Sequence, residues 1–309
     1  MGTVNGAARP VAVILAAGLA KRYGGCKPLA PIGLHGEAVI DLTAADAVGA
    51  GFGEVVLVLG PVTGPAVEYH VRRVWPDDLR VQVAYQQQPL GTAHAVLCAR
   101  RQIGDRPFAV VNGDDVYGVG SFCRLREHFE TSASEHALVA FALGDSIVGD
   151  TPVTRGVVHA SPDGMLQGID ERKHVRRLPD GTFAVGDGRQ PDTLGPDTPV
   201  SVNLWGFRPA IWAELAAAVT SAHPYVDDHG TVDGATGSDG SGTEVLLPEV
   251  VGTMAAGTSG RGPQMVRVLS GQGTVVGVTH AADLPHVRAE LATMVAVGDR
   301  TEQLWPARS

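Results

Sequence analysis

Five short runs, each almost wholly apolar, constrain this chain more than any other feature. VAVILAA (11–17), EVVLVLG (54–60), VQVAYQ (81–86), PFAVVNG (107–113) and ALVAFAL (137–143) are rich in Val and Ala. A strand with one wet face alternates polar and apolar residues. A run without that alternation is covered on both faces, as in the middle of a parallel sheet. Segments with helical spacing lie among them: EAVIDLTAADAVGAGF (37–52), TAHAVLCARRQI (92–103) and SFCRLREHF (121–129). Strand and helix alternating at this pitch describe βαβ units, because parallel neighbours need a crossover and a helix supplies it.

After residue 150 the texture changes. TRGVVHASPDGMLQGID (154–170) reads as a hairpin turned at Pro162-Asp163-Gly164, and PVSVNLWGF (199–207) as a further strand followed by a helix from 209 to 219. Residues 226–243, almost pure Gly, Ser, Thr and Asp, cannot bury enough apolar surface to order themselves and are expected to be a mobile loop. EVLLPEVVGTMAA (244–256) returns to helix, QMVRVL (264–269) and TVVGVT (274–279) read as a closing hairpin, and DLPHVRAELATMV (283–295) as a last helix. The expected fold class is α/β: a mainly parallel, Rossmann-like sheet flanked by helices in three α/β/α layers, with a β-rich lobe. We expect one domain over 1–309, with a core at 10–150 and the lobe and closing elements at 151–297.

Composition removes several functions. A formal net charge of −9 with no block of Lys and Arg argues against nucleic-acid binding. Cys26, Cys98 and Cys123 are odd in number and lack C-x-x-C spacing, so neither a disulfide framework nor structural zinc is expected. No run approaches a membrane span, and MGTVNGAARP has neither the charge nor the apolar stretch of a secretory signal. Gly6 stands where a myristoylation motif needs Ser or Thr. The expectation is a soluble cytoplasmic protein.

The first strand runs into LAAGLAKRYGGCKPLAPIG (15–33). Gly18 and Gly24-Gly25 allow a tight turn whose N–H groups can cradle an anion, and Arg22 and Lys27 add two cations. The Walker pattern fails because Lys27 lies between Cys26 and Pro28; the dinucleotide pattern fails because position 20 is Ala. A plainer reading leaves the glycines shaping a strand exit and the charges solvated.

This stretch resembles the signature of the sugar-phosphate nucleotidyltransferases, L-A-[AG]-G-x-x-x-R followed by a Lys-Pro segment, with Cys26 where the family usually has Pro. The short Arg22-to-Lys27 gap is similar to the cytidylyl- and guanylyl-transferring branches and tilts the resemblance toward CTP or GTP. YQQQPLGTAHAV (85–96) resembles the base-reading segment, with Gln86 five residues before Gly91 and Thr92 opening the next helix. VVNGDDVYG (110–118) resembles the strand-end Gly-Asp motif. The resemblance covers 10–145 closely and 154–297 loosely.

The resemblance implies an NTP held by the backbone of Leu15, Ala16, Ala17, Gly18 and Gly113, with Arg22 on the β- and γ-phosphates and Lys27 on the α-phosphate. Gln86, Gly91 and Thr92 would meet the base. Asp114, with Asp115 beside it, would bind Mg2+. Asp283 would supply a second metal ligand or else cap the helix that follows, with His280 nearby. In the second half Gly156, Glu171 and Asn203 would face a phosphorylated acceptor, and Arg172 or Lys173 would hold its phosphate. Leu204, Trp205 and Phe207 belong to the core.

The implied reaction condenses an NTP with a sugar-1-phosphate or a sugar-like phosphorylated small molecule and releases pyrophosphate, by Mg2+-assisted in-line attack on the α-phosphorus. A glycosyltransferase consuming a nucleotide-sugar and a nucleotide-binding regulatory paralogue without turnover are the alternatives. No nucleic-acid or membrane partner is expected, and homo-oligomerisation is left open.

Overall fold

The computed structural model describes residues 9–18, 25–149, 151–232, 243–278 and 281–305. The first half alternates as its pattern predicts: β1 (Val11–Ala16), α1 (Val39–Gly49), β2 (Glu54–Leu59), α2 (Gly64–Val74), β3 (Val81–Tyr85), α3 (Thr92–Cys98), α4 (Arg100–Ile103) and β4 (Phe108–Asn112). A short β5 (Asp115–Val116) leads to α5 (Val119–Thr131) and β6 (His136–Ala142). The lobe adds β7 (Val153–Ala160), β8 (Leu166–Arg177), β9 (Phe183–Ala184), β10 (Thr193–Leu194) and β11 (Pro199–Phe207). The chain then returns through α6 (Ile211–Ala222), α7 (Leu247–Ala255), β12 (Val266–Ser270), β13 (Val276–Gly277) and α8 (Leu284–Ala296). Among the described residues no helix is long and apolar enough to cross a membrane.

Eleven strands form one mixed sheet in the order β10-β9-β8-β7-β11-β4-β1-β2-β3, with β6 pairing β11 and β12. The nucleus is parallel: β4, β1, β2 and β3 lie side by side, and β12 runs parallel to β6. β11 is antiparallel to β4, β6 and β7 and joins the nucleus to the lobe.

Successive side chains of β1 enter different cores. Val11 and Val13 pack with Val56, Val58, Val96, Trp212 and Met254 on the face covered by α3, α6 and α7. Ala12 and Ile14 pack with Ile40, Leu57, Val67 and Phe122 on the face covered by α1, α2 and α5. These two cores are the reason for the uninterrupted apolar runs. The lobe has a small core of its own, with Val157, Val175, Phe183, Leu194 and Val200.

The structure departs from the sequence reading in several places. VQVAYQ, read as covered on both faces, is the edge strand β3, with Gln82 exposed. Helix α2 was not anticipated, although its signals are present: Pro65 in the first turn, Val67 and Val71 buried one turn apart, and a Glu68–Arg72 pair at the same spacing. The closing hairpin does not form. β12 pairs with β6, whereas β13 pairs antiparallel with β5. The connection runs on along β6, with Gly271 N donating to Ala140 O at 2.8 Å and Val275 N to Asp145 O at 2.8 Å. Gly271 lies against the Phe141 ring, so both strands find partners in the first half. Of 226–243, residues 226–232 form a tight turn bridged between Val226 and Val232, and 233–242 lie outside the described residues.

One buried polar group makes stability depend on pH. His136 opens β6 at 0% exposure, accepts Arg208 N at Nδ1 (3.1 Å) and places Nε2 2.8 Å from Gln264 Oε1. That pairing requires the neutral imidazole, and burial holds its pKa below the usual histidine value. The unfolded chain therefore binds a proton that the folded chain refuses. The contribution is complete above about pH 6.5 and is lost as pH falls toward the depressed folded value. We expect the melting temperature to fall between pH 7.5 and 5.5. His136→Gln should lose about 1–3 kcal/mol at pH 7.5 and show a shallower pH slope. Equal slopes in the two proteins, measured by thermal denaturation, would refute the assignment.

Candidate active site

Parallel registration brings four strand ends to one edge. Ala16 is paired with Leu59, Leu15 with Asn112 and Leu59 with Tyr85, so the loops after β1, β2, β3 and β4 leave the sheet together. The edge is closely packed. Gly113 N donates to Leu15 O at 2.8 Å, and a Cβ on Gly113 would fall 2.9 Å from that oxygen. A Cβ on Gly60 would fall 2.6 Å from Ala17 O. Only glycine lets the chain after β1 run so close to its neighbours. Arg22 and His280 lie outside the described residues; Leu15, Ala16, Ala17 and Gly18 lead into the loop from the strand end.

Lys27 begins a single 3-10 turn whose second residue is Pro28. Its Nζ stands 3.1 Å from Asp114 Oδ2, with side chains 19% and 34% exposed. The pair joins the loop after β1 to the end of β4, although 87 residues separate them in the chain. A pair this open to water contributes at most about 1 kcal/mol to stability, so its interest lies in what it places together.

Asp115 lies behind Asp114. It accepts Asn112 Nδ2 at 3.0 Å, while Tyr117 accepts Asn112 N at 3.1 Å and donates to Val202 O at 2.9 Å. Gly277 lies so close that a Cβ there would overlap Asp115 Oδ1. Burial, and after it the charge of Asp114, push the Asp115 pKa up to about 6. Lys27 and Arg155 oppose that rise. Arg155 is held by Ser146 through its Oγ at 3.2 Å and its carbonyl. Arg155, Asn112 and Tyr117 are site residues that the sequence reading missed; their one signal is adjacency to Gly156 and to the Gly-Asp-Asp segment.

Asp283 is buried and accepts the Thr151 hydroxyl at 3.1 Å, and it makes no side-chain capping bond to α8. Val278 N donates to Asp114 O at 3.3 Å, so the segment leading toward Asp283 starts at the Asp pair. Asp114 offers oxygen alone and keeps part of its carboxylate open, which is donor chemistry that suits Mg2+, a hard cation. Among the described residues, three ligand atoms cluster only at Asp227, Asp228 and His229, far along the chain from these acids.

Beyond β3, Gln86 is buried, and its Nε2 donates to Gly91 O at 2.9 Å and reaches His94 Nδ1 at 3.1 Å. Gly91 has φ +102°, and a Cβ there would overlap the Val245 backbone. Val245 N donates to Leu90 O at 2.9 Å, and the Thr92 hydroxyl accepts Leu247 N at 2.8 Å at the start of α7.

In the lobe, Gly156 is registered between Glu171 of β8 and Ser201 of β11. Asn203 sits at the bulge of β11 with φ +64°, its Oδ1 accepting Trp205 Nε1 at 3.3 Å. The two candidate cations part company. Arg172 is buried, forked onto Asp187 at 2.7 and 3.1 Å, and also donates to Arg189 O and Pro191 O. Lys173 is exposed, 3.6 Å from Glu171. The Arg172 guanidinium holds the Asp187 carboxyl far below the usual carboxylate range.

The model of the MobA-like NTP transferase domain matches residues 12–191, more than half of the chain. This chain belongs to that family. It is 64% identical over 31 residues to the UTP–glucose-1-phosphate uridylyltransferase YngB of Bacillus subtilis, a tenth of each chain. It is 28% identical over 153 residues to the UTP–glucose-1-phosphate uridylyltransferase of Salmonella typhimurium, covering 47% of this chain and 46% of that one. The chain thus spans about half the length, or less, of these curated relatives. The solved structure of the UTP-bound UGPase from Acinetobacter baumannii shares the fold, with a TM-score of 0.59 over 93% of this chain and 94% of that chain at 17% identity.

The packing of Gly277 on Asp115 is testable. Gly277→Ala should cost about 1–3 kcal/mol by overpacking, and that cost should shrink by at least half in an Asp115→Ala background. Urea denaturation of the four proteins of the cycle gives the coupling, and additive costs would show that the two residues do not meet. Arg172→Ala should lower the urea midpoint of unfolding, since it removes the fork on Asp187 and the donors to Arg189 O and Pro191 O, and an unchanged midpoint would show that the clamp is not structural.

Proposed function

We propose that this protein transfers a nucleotidyl group from an NTP to a sugar-1-phosphate and releases pyrophosphate. The observation that carries the reading is the Lys27–Asp114 pair at the carboxyl edge of the sheet. A cation for phosphate and a hard anion for metal are the two groups such a reaction needs side by side, at the edge where ligands of open α/β sheets bind.

In this reading the acceptor's phosphate oxygen attacks the α-phosphorus in line. One P–O bond forms as the bond to pyrophosphate breaks. Phosphate is already a nucleophile at neutral pH, so no general base is required. The protein's task is to align two anions that repel and to offset charge in the transition state. Leu15 to Gly18 and Gly113 line the nucleotide site, Arg22 and the backbone from Gly18 to Arg22 take the β- and γ-phosphates, and Lys27 takes the α-phosphate. Asp114 and Asp283 would hold Mg2+, which supplies Lewis-acid stabilisation of the phosphoryl oxygens when bound. Gly156 leaves room for the sugar, Glu171 and Asn203 take its hydroxyls, and Lys173, the exposed one of the two cations, takes its phosphate.

The relatives act on UTP and glucose 1-phosphate by their names, so we take these as the first substrate pair. The short loop resembles CTP- and GTP-using branches, and CTP and GTP are therefore the competing donors. A cytoplasmic location fits such substrates.

A matrix of UTP, CTP, GTP, ATP and dTTP against hexose 1-phosphates with Mg2+, read by pyrophosphate release, tests the reading. Turnover with at least one pair is expected, greatest with UTP. Lys27→Ala and Asp114→Ala should each cost about 10²-fold or more in kcat with the fold intact by circular dichroism. Consumption of a nucleotide-sugar without NTP turnover, or near-normal rates in either variant, would sink it.

A further inference from the structure

The amide of Gln86 is not free to rotate its two ends. Its Nε2 donates to a backbone carbonyl, Gly91 O at 2.9 Å, which can only accept. The same nitrogen meets His94 Nδ1 at 3.1 Å, and the opposite ring nitrogen, Nε2, lies 3.0 Å from Gly230 O, again an acceptor only. Together these bonds assign one tautomer: His94 carries its proton on Nε2 and presents a bare Nδ1 to the glutamine. The ring is wholly buried. Burial lowers its pKa, opposed by the Gly230 and Gln88 carbonyls, so it stays neutral near pH 7.

Gly230 belongs to the turn at 226–232. Asp227 Oδ1 accepts His229 N at 2.8 Å and Thr231 N at 2.7 Å, which shapes the turn. Gly230 has φ +74°, and a Cβ there would come within 2.9 Å of Cys98 N and Sγ, so no other residue fits against α3. The Cys98 thiol also donates to Gly230 O, at 3.6 Å, and its pKa is pushed up to about 12, chiefly by burial. The chain from Gln86 through His94 to Gly230 therefore joins the base-reading segment to a turn 136 residues from His94.

We propose that His94 is a positioning residue for base selection: anchored by the Gly230 carbonyl, it locks the Gln86 amide so that only the carbonyl oxygen faces the base. The inference rests on the proposed function and on the family resemblance that sets Gln86 against the base. An acceptor fixed there pairs with the imide N–H of uracil and opposes the bare N3 of cytosine. An amide able to flip would serve both bases.

Two substitutions separate this role from simple packing. His94→Asn places an oxygen where Nδ1 was and keeps an acceptor for Gln86, but it loses the bond to Gly230. His94→Gln can keep a donor to Gly230 and loses the acceptor. We expect His94→Asn to hold the ratio of kcat/KM for UTP over CTP within about 3-fold of the parent, and His94→Gln to lower it by about 10-fold or more. A packing role predicts equal loss in both, or greater loss in His94→Asn, and either result overturns the proposal.

A measurement on the unsubstituted protein covers the case in which a variant does not fold. Imidazole 15N shifts should show His94 protonated at Nε2 alone, and a proton on Nδ1 would overturn the proposal. If the parent protein releases pyrophosphate but prefers CTP, the base lock is wrong while nucleotidyl transfer stands. If no NTP is turned over, it is the proposed function that fails.

Discussion

The site depends on the parallel registration of β1 with β2 and β4. Because these strands end level with one another, the loop after β1, the glycine after β2 and the acids after β4 converge within the reach of single side chains. The Gly113 N to Leu15 O bond carries the ladder one residue past β4. A one-residue slip would send Val13 and Ile14 to the wrong cores and would also draw Lys27 and Asp114 apart. The register that buries the apolar side chains is thus the register that assembles the charges.

Two carboxylates side by side at a partly buried strand end are unfavourable unless something offsets them. Lys27 reaches Asp114 from one side, and Arg155, held at Ser146, lies within electrostatic range of Asp115 from the other. Asn112 and Tyr117 complete the polar surroundings, and Gly277 leaves the carboxylate just enough space. The raised pKa of Asp115 shows that the compensation is incomplete. Such poising is common where a cation or phosphate is to be bound.

The second half of the chain completes the first. Val245 pairs with Leu90 and excludes a side chain at Gly91, while Leu247 N donates to the Thr92 hydroxyl. β13 lies against β5, and Gly230 against His94. The base-reading and acid-bearing segments are therefore each braced by residues more than 130 positions away in the chain.

The sequence was legible where burial is two-sided and local. The runs that became β1, β2, β4 and β6 lack alternation because both their faces are covered. The 154–170 hairpin was legible from Pro162-Asp163-Gly164, a turn that needs no distant partner. α2 is amphipathic, but it buries only three residues and is otherwise polar, so its periodic pattern was easily passed over.

What a pattern of residues cannot carry is the identity of a distant partner. Arg172 and Lys173 are adjacent and equally charged, and only Asp187 decides that the first is a buried clamp while the second stays exposed. β12 and β13 are neighbours in sequence, yet β6 and β5 claim them separately. Periodicity and turn chemistry act over a few residues and so are written in the chain; hydrogen-bond pairing across a hundred residues is chosen by the packed fold as a whole.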